Sequence, residues 1–131
     1  MTSTSTPRTL PESVASPGDL VVLVSLHEKL DEEILGELLR THLSAVDALC
    51  EQLQAVSRRE EWPTAADITR QIAAKTGVLG FRAVTNAAKS FAAAADEKLE
   101  AHLLRNGAQM VVFEHERLRL AIELQYPELL V

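Results

Sequence analysis

The sequence predicts an all-α protein, an antiparallel up-down four-helix bundle with a short extra N-terminal helix. The chain is 47% hydrophobic, rich in alanine and leucine and only 4% aromatic, and this composition favours helices over strands. Apolar residues recur at steps of three and four through most of the chain, which is the period of a helix with one buried face. With 131 residues, the chain is long enough for one domain with a sizeable core, which we place at residues 18–131.

The chain begins with residues 1–17, which are rich in Ser, Thr and Pro and predict a disordered leader. Gly18 and Asp19 then offer a helix start, and residues 20–29 follow as a short apolar segment. Because this segment is apolar on all sides, it should pack against the rest of the domain as a lid or first helix.

A long helix is predicted from Asp31 to about Ser57. Asp31 is a suitable N-cap, and Glu32 and Glu33 suit the positive end of the helix dipole in the first turn. Helical spacing places its inner seam at Leu35, Leu38, Leu39, His42, Val46, Leu49, Leu53 and Val56.

The central helix covers residues 62–80, WPTAADITRQIAAKTGVLG. Pro63 fits the first turn, where its missing N–H has no partner to lose, and Gly80 tolerates the left-handed cap. An inner stripe runs through Ala65, Ile68, Ile72, Thr76 and Leu79.

The outer face of this helix centres on Arg70, which lies about 200° around the helix from Ile72. Asp67 lies to one side, three residues back, where it can pair with Arg70. The same count surrounds Arg70 with the small residues Ala66, Ala73, Ala74 and Gly77. The predicted outer face is therefore one long cation in a patch of small side chains.

Two further helices are predicted after Gly80. The first should reach Leu104, and Asn106–Gly107 should form the connection to a last helix over residues 108–125. Pro127 ends the last helix, and the apolar residues 129–131 should fold back on the bundle. In the helix that follows Gly80, the residues expected to face the core are Val84, Ala88, Phe91, Ala95, Leu99 and Leu103. In the last helix, the residues expected to face the core are Met110, Phe113, Leu118, Ala121 and either Leu124 or Ile122.

Charge and composition exclude several classes of function. The net charge of −6 argues against a nucleic-acid binder, which would need a basic surface. The longest apolar run near the start, residues 20–26, is too short to span a bilayer, and no signal peptide is evident, so we expect a cytoplasmic protein without membrane contact. Cys50 is the single cysteine and cannot form an internal disulfide.

The four histidines, His27, His42, His102 and His115, show no His-x-x-x-His spacing that would suit a metal. His42 falls in the inner seam and is interpreted as a hydrogen-bonded core histidine, with a pH-sensing role as the alternative. His102 and His115 have acidic neighbours and are expected at the surface. No nucleophile–histidine signature occurs, so we predict no enzyme, no catalytic residue, no metal and no cofactor.

Residues 62–80 resemble the central helix of the histidine phosphotransfer (HPt) domain. Bacterial members often have a tryptophan at the helix start, then a motif His-x-Leu-Lys-Gly, then a Leu-Gly pair. Trp62 matches the tryptophan, and Leu79 and Gly80 match the closing pair. Both anchors place the family's phosphoacceptor histidine on Arg70.

The rest of the motif departs from the family. Ile72 matches the motif leucine, but Ala73 stands at the lysine position and Ala74 at the glycine position. No histidine occurs between residues 43 and 101, so a small shift of register cannot supply one. The resemblance implies an HPt domain with its chemistry removed.

The resemblance implies a signalling module of a two-component phosphorelay, whose partner is a response-regulator receiver domain or a histidine kinase. The partner would dock on Arg70, Ala73, Ala74 and Gly77. A guanidinium stays protonated and cannot take up phosphate, but it can bind carboxylates through a forked, charge-assisted hydrogen bond.

Two alternatives remain open at this point. The chain could be an active phosphotransfer protein that uses another histidine, with His102 as the exposed candidate. It could also be a structural or adaptor bundle without a signalling partner, for example a homodimer, because helical bundles host many functions.

Overall fold

The computed structural model describes residues 17–131, which form five α-helices packed against one another and no strand. The predicted all-α class is confirmed. None of the helices within this range is long and apolar enough to cross a membrane. The predicted leader lies outside the described residues except for Pro17, which is the first residue of a helix. The helices are α1 (Pro17–Lys29), α2 (Glu32–Arg58), α3 (Trp62–Leu79), α4 (Arg82–Asp96) and α5 (Ala101–Gln125), followed by a 3-10 helix (Pro127–Leu130).

Helix α2 begins as predicted. The carboxylate of Asp31 accepts a hydrogen bond from the backbone N–H of Ile34 at 2.9 Å, which satisfies one of the free donors at the helix start. The predicted inner seam is buried with one exception: Leu38 is 38% exposed. The prediction for Leu38 was wrong because Leu38 and its neighbour Leu39 lie about 100° apart on the helix, and the core takes Leu39, which is fully buried.

Helices α3 and α4 form a hairpin that turns at Gly80. Gly80 has φ +83°, the left-handed conformation predicted for it, and Phe81 N–H donates to Thr76 O at 3.0 Å to close the helix end. Helix α1 contacts the residues next to this turn: the carboxylate of Asp19 accepts a hydrogen bond from the N–H of Arg82 at 2.8 Å. Asp19 lies in the first turn of α1, as predicted, and it is also buried, where its carboxylate serves as an acceptor for α4.

The predicted connection between the last two helices was wrong. Helix α4 ends at Asp96 and residues 97–100 form the connection, so Asn106 and Gly107 lie inside α5. A Cβ atom at Gly107 would lie 3.2 Å from Cδ1 of Phe91. The glycine therefore lets α5 approach Phe91 on α4 closely instead of breaking the chain. Leu99 and Leu103, which were expected inside, are exposed.

The inward face of α5 also differs from the prediction. Leu118, Ala121 and Ile122 are buried as expected, but Met110, Phe113 and Leu124 are exposed. The buried face consists of Leu104, Ala108, Val111, Val112, His115, Leu118, Ala121, Ile122 and Gln125. Helix α5 thus has two apolar rows, and only one of them packs into the bundle.

The C-terminal tail folds back on α2, as predicted. Leu129 is buried, and Nη1 of Arg40 donates hydrogen bonds to the carbonyl oxygens of Leu129 and Val131 at 2.9 and 3.1 Å. These contacts hold the tail against the first half of α2.

Candidate functional site

A groove of about 710 Å³ runs along the surface between α3 and α4. It brings together all four residues that the sequence placed at the candidate site. The lining residues are Arg70, Ala73, Ala74, Gly77 and Val78 from α3, and Thr85, Lys89, Ala92, Ala93 and Asp96 from α4.

The floor of the groove is made of small side chains where the two helices approach closely. Ala73, Thr85 and Ala92 are buried, and the hydroxyls of Thr76 and Thr85 are joined by a hydrogen bond of 2.6 Å. Ala66 was expected on the outer face, but it is buried. It lies on the same side of α3 as Ala73, which is also buried, so the exposed outer face of α3 is narrower than predicted.

Arg70 spans the groove with its guanidinium. Nη1 donates to Asp67 Oδ1 at 2.8 Å, which confirms the predicted pair. Nη2 donates to both carboxylate oxygens of Asp96 at 2.7 and 2.8 Å. Asp96 lies 26 residues away and was not predicted as a partner of Arg70. The turn predicted at Gly80 could have indicated this pair, because a helix that returns antiparallel from the turn brings its end beside the first half of α3.

These two carboxylates change the electrostatics of the face. The hydrogen bond and the charge of Asp96, and then the charge and hydrogen bond of Asp67, raise the pKa of Arg70 above its ordinary value. The guanidinium therefore stays charged and offers no lone pair to a phosphoryl group. The face differs from the prediction in two respects: Asp96 is a second carboxylate partner of Arg70, and Lys89 adds a second cation to the groove.

His42 lies in the core, as predicted, but its Nε2 finds no hydrogen-bond partner within residues 17–131. Its ring lies against Phe81, with the ring centroids 5.6 Å apart. Burial, followed by the nearby charges of His115 and Lys75, lowers the pKa of His42 to about 4. The imidazole is therefore neutral near neutral pH.

His115 is buried on α5, so its predicted surface position was wrong. Its Nε2 lies 2.6 Å from Oδ1 of Asp47, and the other carboxylate oxygen of Asp47 accepts a hydrogen bond from Arg119 at 2.8 Å. The acidic sequence neighbours of His115 suggested exposure, but the partner that permits burial is 68 residues away. By contrast, the His102 side chain is 63% exposed, in agreement with the prediction.

A second cavity, of about 290 Å³, is lined in part by Asp47, Cys50 and His115. Burial, together with the charges of Asp47 and Glu116, raises the pKa of the Cys50 thiol to about 12. The thiol is therefore protonated at neutral pH and is a poor nucleophile. In the described part of the chain, no three His, Cys, Asp or Glu side chains form a group that could hold a metal ion.

What the α3/α4 groove can do follows from its own side chains. It offers a paired guanidinium, an ammonium group and a floor of small residues, and none of its lining residues is a histidine or a cysteine. Its charged groups are two cations, Arg70 and Lys89, and the carboxylates of Asp96 and Asp67 that bond Arg70. Comparison of the chain with protein-family models, with curated proteins and with solved structures gave no match.

Proposed function

We propose that this chain is an HPt-like signalling module that binds a receiver domain or a histidine kinase without carrying phosphate at Arg70. In this proposal α2 to α5 form the antiparallel four-helix bundle and α1 is the short extra helix. One observation carries the proposal: the α3/α4 groove gathers Arg70, Ala73, Ala74 and Gly77. These residues occupy the positions that the resemblance assigns to the docking surface, and Arg70 stands where the family has its phosphoacceptor.

Arg70 would act as a cation for an acidic pocket. The phosphorylation pocket of a receiver domain is a cluster of carboxylates that its magnesium neutralises only in part. One of these carboxylates would replace Asp96 on Nη2 of Arg70 and accept the same kind of charge-assisted hydrogen bond. Lys89 lies in the same groove and adds attraction for an acidic surface.

The small side chains give the partner room. Ala74 and Gly77 are exposed beside Arg70, so no long side chain separates the backbone of α3 from an approaching surface. A protein that docks here without accepting phosphate would regulate a phosphorelay by occupying a docking site that an active HPt domain also uses.

Isothermal titration calorimetry against a panel of purified receiver domains tests the proposal. We expect the parent chain to bind one of them, and Arg70→Glu to weaken binding strongly, because it sets a carboxylate against the acidic pocket. Ala74→Trp should weaken binding through bulk, so its effect should persist at high salt, whereas the effect of Arg70→Glu should shrink.

Two matched controls separate docking from folding. Arg105→Glu removes another exposed ion pair between distant residues, with Glu60 at 2.7 Å, away from the groove. Ala48→Trp adds the same bulk at an exposed position of α2. Both controls should bind like the parent. Equal binding by the parent, Arg70→Glu and Ala74→Trp would show that this face is not the interface, and would favour the adaptor alternative.

A second candidate function, phosphotransfer through His102, is favoured by exposure. The side chain of His102 is 63% exposed and that of His27 is 37% exposed, whereas His42 and His115 are buried. Acid-labile phosphate on His102 after incubation with a histidine kinase, lost in His102→Gln, would support this candidate over the proposal above.

A further inference from the structure

Helix α5 has a second apolar row that the bundle does not bury. Five large apolar side chains in this row are between 46% and 57% exposed: Leu103, Met110, Phe113, Leu120 and Leu124. Asn106 and Arg117 complete the row. We call these seven residues the α5 seam.

The α5 seam has the spacing of a coiled-coil heptad. Its residues alternate in steps of three and four, from Leu103 to Asn106, then to Met110, and on in the same way to Leu124. Leu103, Met110, Arg117 and Leu124 take one core position of the heptad, and Asn106, Phe113 and Leu120 take the other. Such a seam is typical of a helix that pairs with a second helix along its length, in addition to the buried face that α5 already has in the bundle.

We propose that the α5 seam pairs with the same seam of a second copy of this chain, antiparallel, about a two-fold axis between residues 111 and 112. In this register Leu103 meets Leu120 of the second copy, and Met110 meets Phe113. Asn106 meets Arg117, so the two polar members of the seam face each other. Leu124 falls opposite the start of α5 in the second copy, where the exposed Leu99 leads into the helix.

The charges of the seam select this orientation. A parallel pair would place Arg117 against Arg117, whereas the antiparallel pair gives each Arg117 an amide oxygen of Asn106 to which it can donate. The Arg117 guanidinium already bonds Glu114 at 3.2 Å and lies over the ring of Phe113, so its charge keeps a carboxylate partner at the interface.

The flanking positions are also compatible with this orientation. In an antiparallel pair, residues on the same flank of the two helices face each other, so His102 faces Glu123 and Gln109 faces Glu116. No pair of carboxylates and no pair of cations meets along this flank. The seam thus complements itself layer by layer, which identifies a second copy as its partner.

The proposed dimer leaves the candidate functional site open. No residue of the α5 seam lines the α3/α4 groove. Two copies can therefore join through α5 while each keeps its groove accessible, and the dimer does not depend on the function proposed for that groove.

Sedimentation velocity of the full chain at micromolar concentrations tests the dimer. We expect a dimer for the parent and loss of the dimer for Phe113→Glu and Leu120→Glu, with the helical circular dichroism unchanged because both side chains are exposed. Val78→Glu is the matched control: Val78 is 84% exposed but lies on α3, outside the seam, so this variant should remain a dimer.

Crosslinking tests the orientation. In the antiparallel dimer, position 103 lies beside position 120 of the second copy, and the two copies of position 103 are about 25 Å apart. A short bis-maleimide should therefore crosslink a mixture of Leu103→Cys and Leu120→Cys, but neither variant alone. The parent should not react, because its Cys50 is buried.

The polar layer provides a third test. Asn106→Asp should tighten the dimer and Asn106→Lys should weaken it at least about tenfold, because each changes the charge that faces Arg117. A parent chain that is monomeric throughout would overturn the proposal. So would crosslinking of Leu103→Cys alone, or a dimer that Val78→Glu disrupts as strongly as Phe113→Glu does.

Discussion

Arg70 and Asp96 join α3 to α4 across the candidate site, with Nη2 of Arg70 2.7 Å from Oδ1 and 2.8 Å from Oδ2 of the carboxylate. Both side chains are largely exposed, so solvent screens the pair and it contributes little to folding. In the docking proposed above, an acidic partner has to compete with Asp96 for the guanidinium.

This competition gives the first prediction. Asp96→Asn removes the competing charge and should strengthen binding of a receiver domain severalfold, while the denaturant midpoint stays close to that of the parent. Calorimetry and a urea melt measure both quantities. Glu60→Gln is the control, since it removes the partner of Arg105 far from the groove and should leave binding unchanged. Weaker binding of Asp96→Asn would mean that Asp96 orients Arg70 for docking.

The second prediction concerns the core. Leu39→Ala and Ile72→Ala should each lower the free energy of unfolding by about 2–5 kcal/mol, because both side chains are fully buried. Leu38→Ala should cost less than half as much as Leu39→Ala, because Leu38 is 38% exposed. Equilibrium urea unfolding of the three variants measures the order, and equal costs at positions 38 and 39 would contradict the face assigned to α2.

The third prediction contrasts Gly77, inside α3, with Gly80, which caps its end. Gly80→Ala should destabilise the protein by about 1–2 kcal/mol, because φ is +83° and the new methyl group would lie 3.1 Å from Cγ2 of Val22. Gly77→Ala should be neutral or stabilising, since its methyl group meets Thr85 at an ordinary 3.7 Å and alanine favours the helix. Thermal melts of the two variants compare them directly. A more damaging change at Gly77 would contradict this placement.

The fourth prediction is a pH dependence that comes from His42. Its pKa is about 4 in the folded protein, against an ordinary value of 6.5. Above pH 6.5 the imidazole is neutral in both the folded and the unfolded chain, so it adds no pH dependence to the free energy of unfolding. As the pH falls from 6.5 through about 4, the unfolded chain takes up a proton that the folded chain resists, so stability is lost across this window.

His42→Leu isolates this contribution, because all carboxylates are common to the variant and the parent. The unfolding free energy of the parent, relative to that of His42→Leu, should decrease as the pH is lowered from 6.5 to about 4, and should stay constant above pH 6.5. Urea melts at a series of pH values measure it. A constant difference through the whole series would mean that His42 titrates normally in the fold.

The fifth prediction is that α3 does not accept phosphate. After incubation with a phosphorylated receiver domain, phosphopeptide mapping should find no label between Trp62 and Gly80. Arg70→His restores an imidazole but leaves Ala73 at the position of the family's lysine, so we expect at most slow transfer to it. Label on α3 of the parent chain would refute the proposal that Arg70 replaces the acceptor function.

Local sequence patterns were enough to predict the features that depend on neighbours within one or two helical turns. The cap at Asp31, the left-handed Gly80 and the ion pair of Arg70 with Asp67 all follow from local geometry. The periodicity of α2 and α3 likewise identified most of their buried residues, and it placed all four residues of the candidate site on one stretch of α3.

Where the local pattern allows two equivalent arrangements, the packing of whole helices selects one of them. Both apolar rows of α5 satisfy the helical period, so periodicity alone could not show that Met110 and Phe113 stay outside while Val111 packs inside. Likewise, Asn106–Gly107 is a valid turn signal in isolation, and the approach of Phe91 gives Gly107 its different role. The pairs Arg70–Asp96 and His115–Asp47 join residues on different helices, and their distances are set by how whole helices pack, which no local pattern specifies.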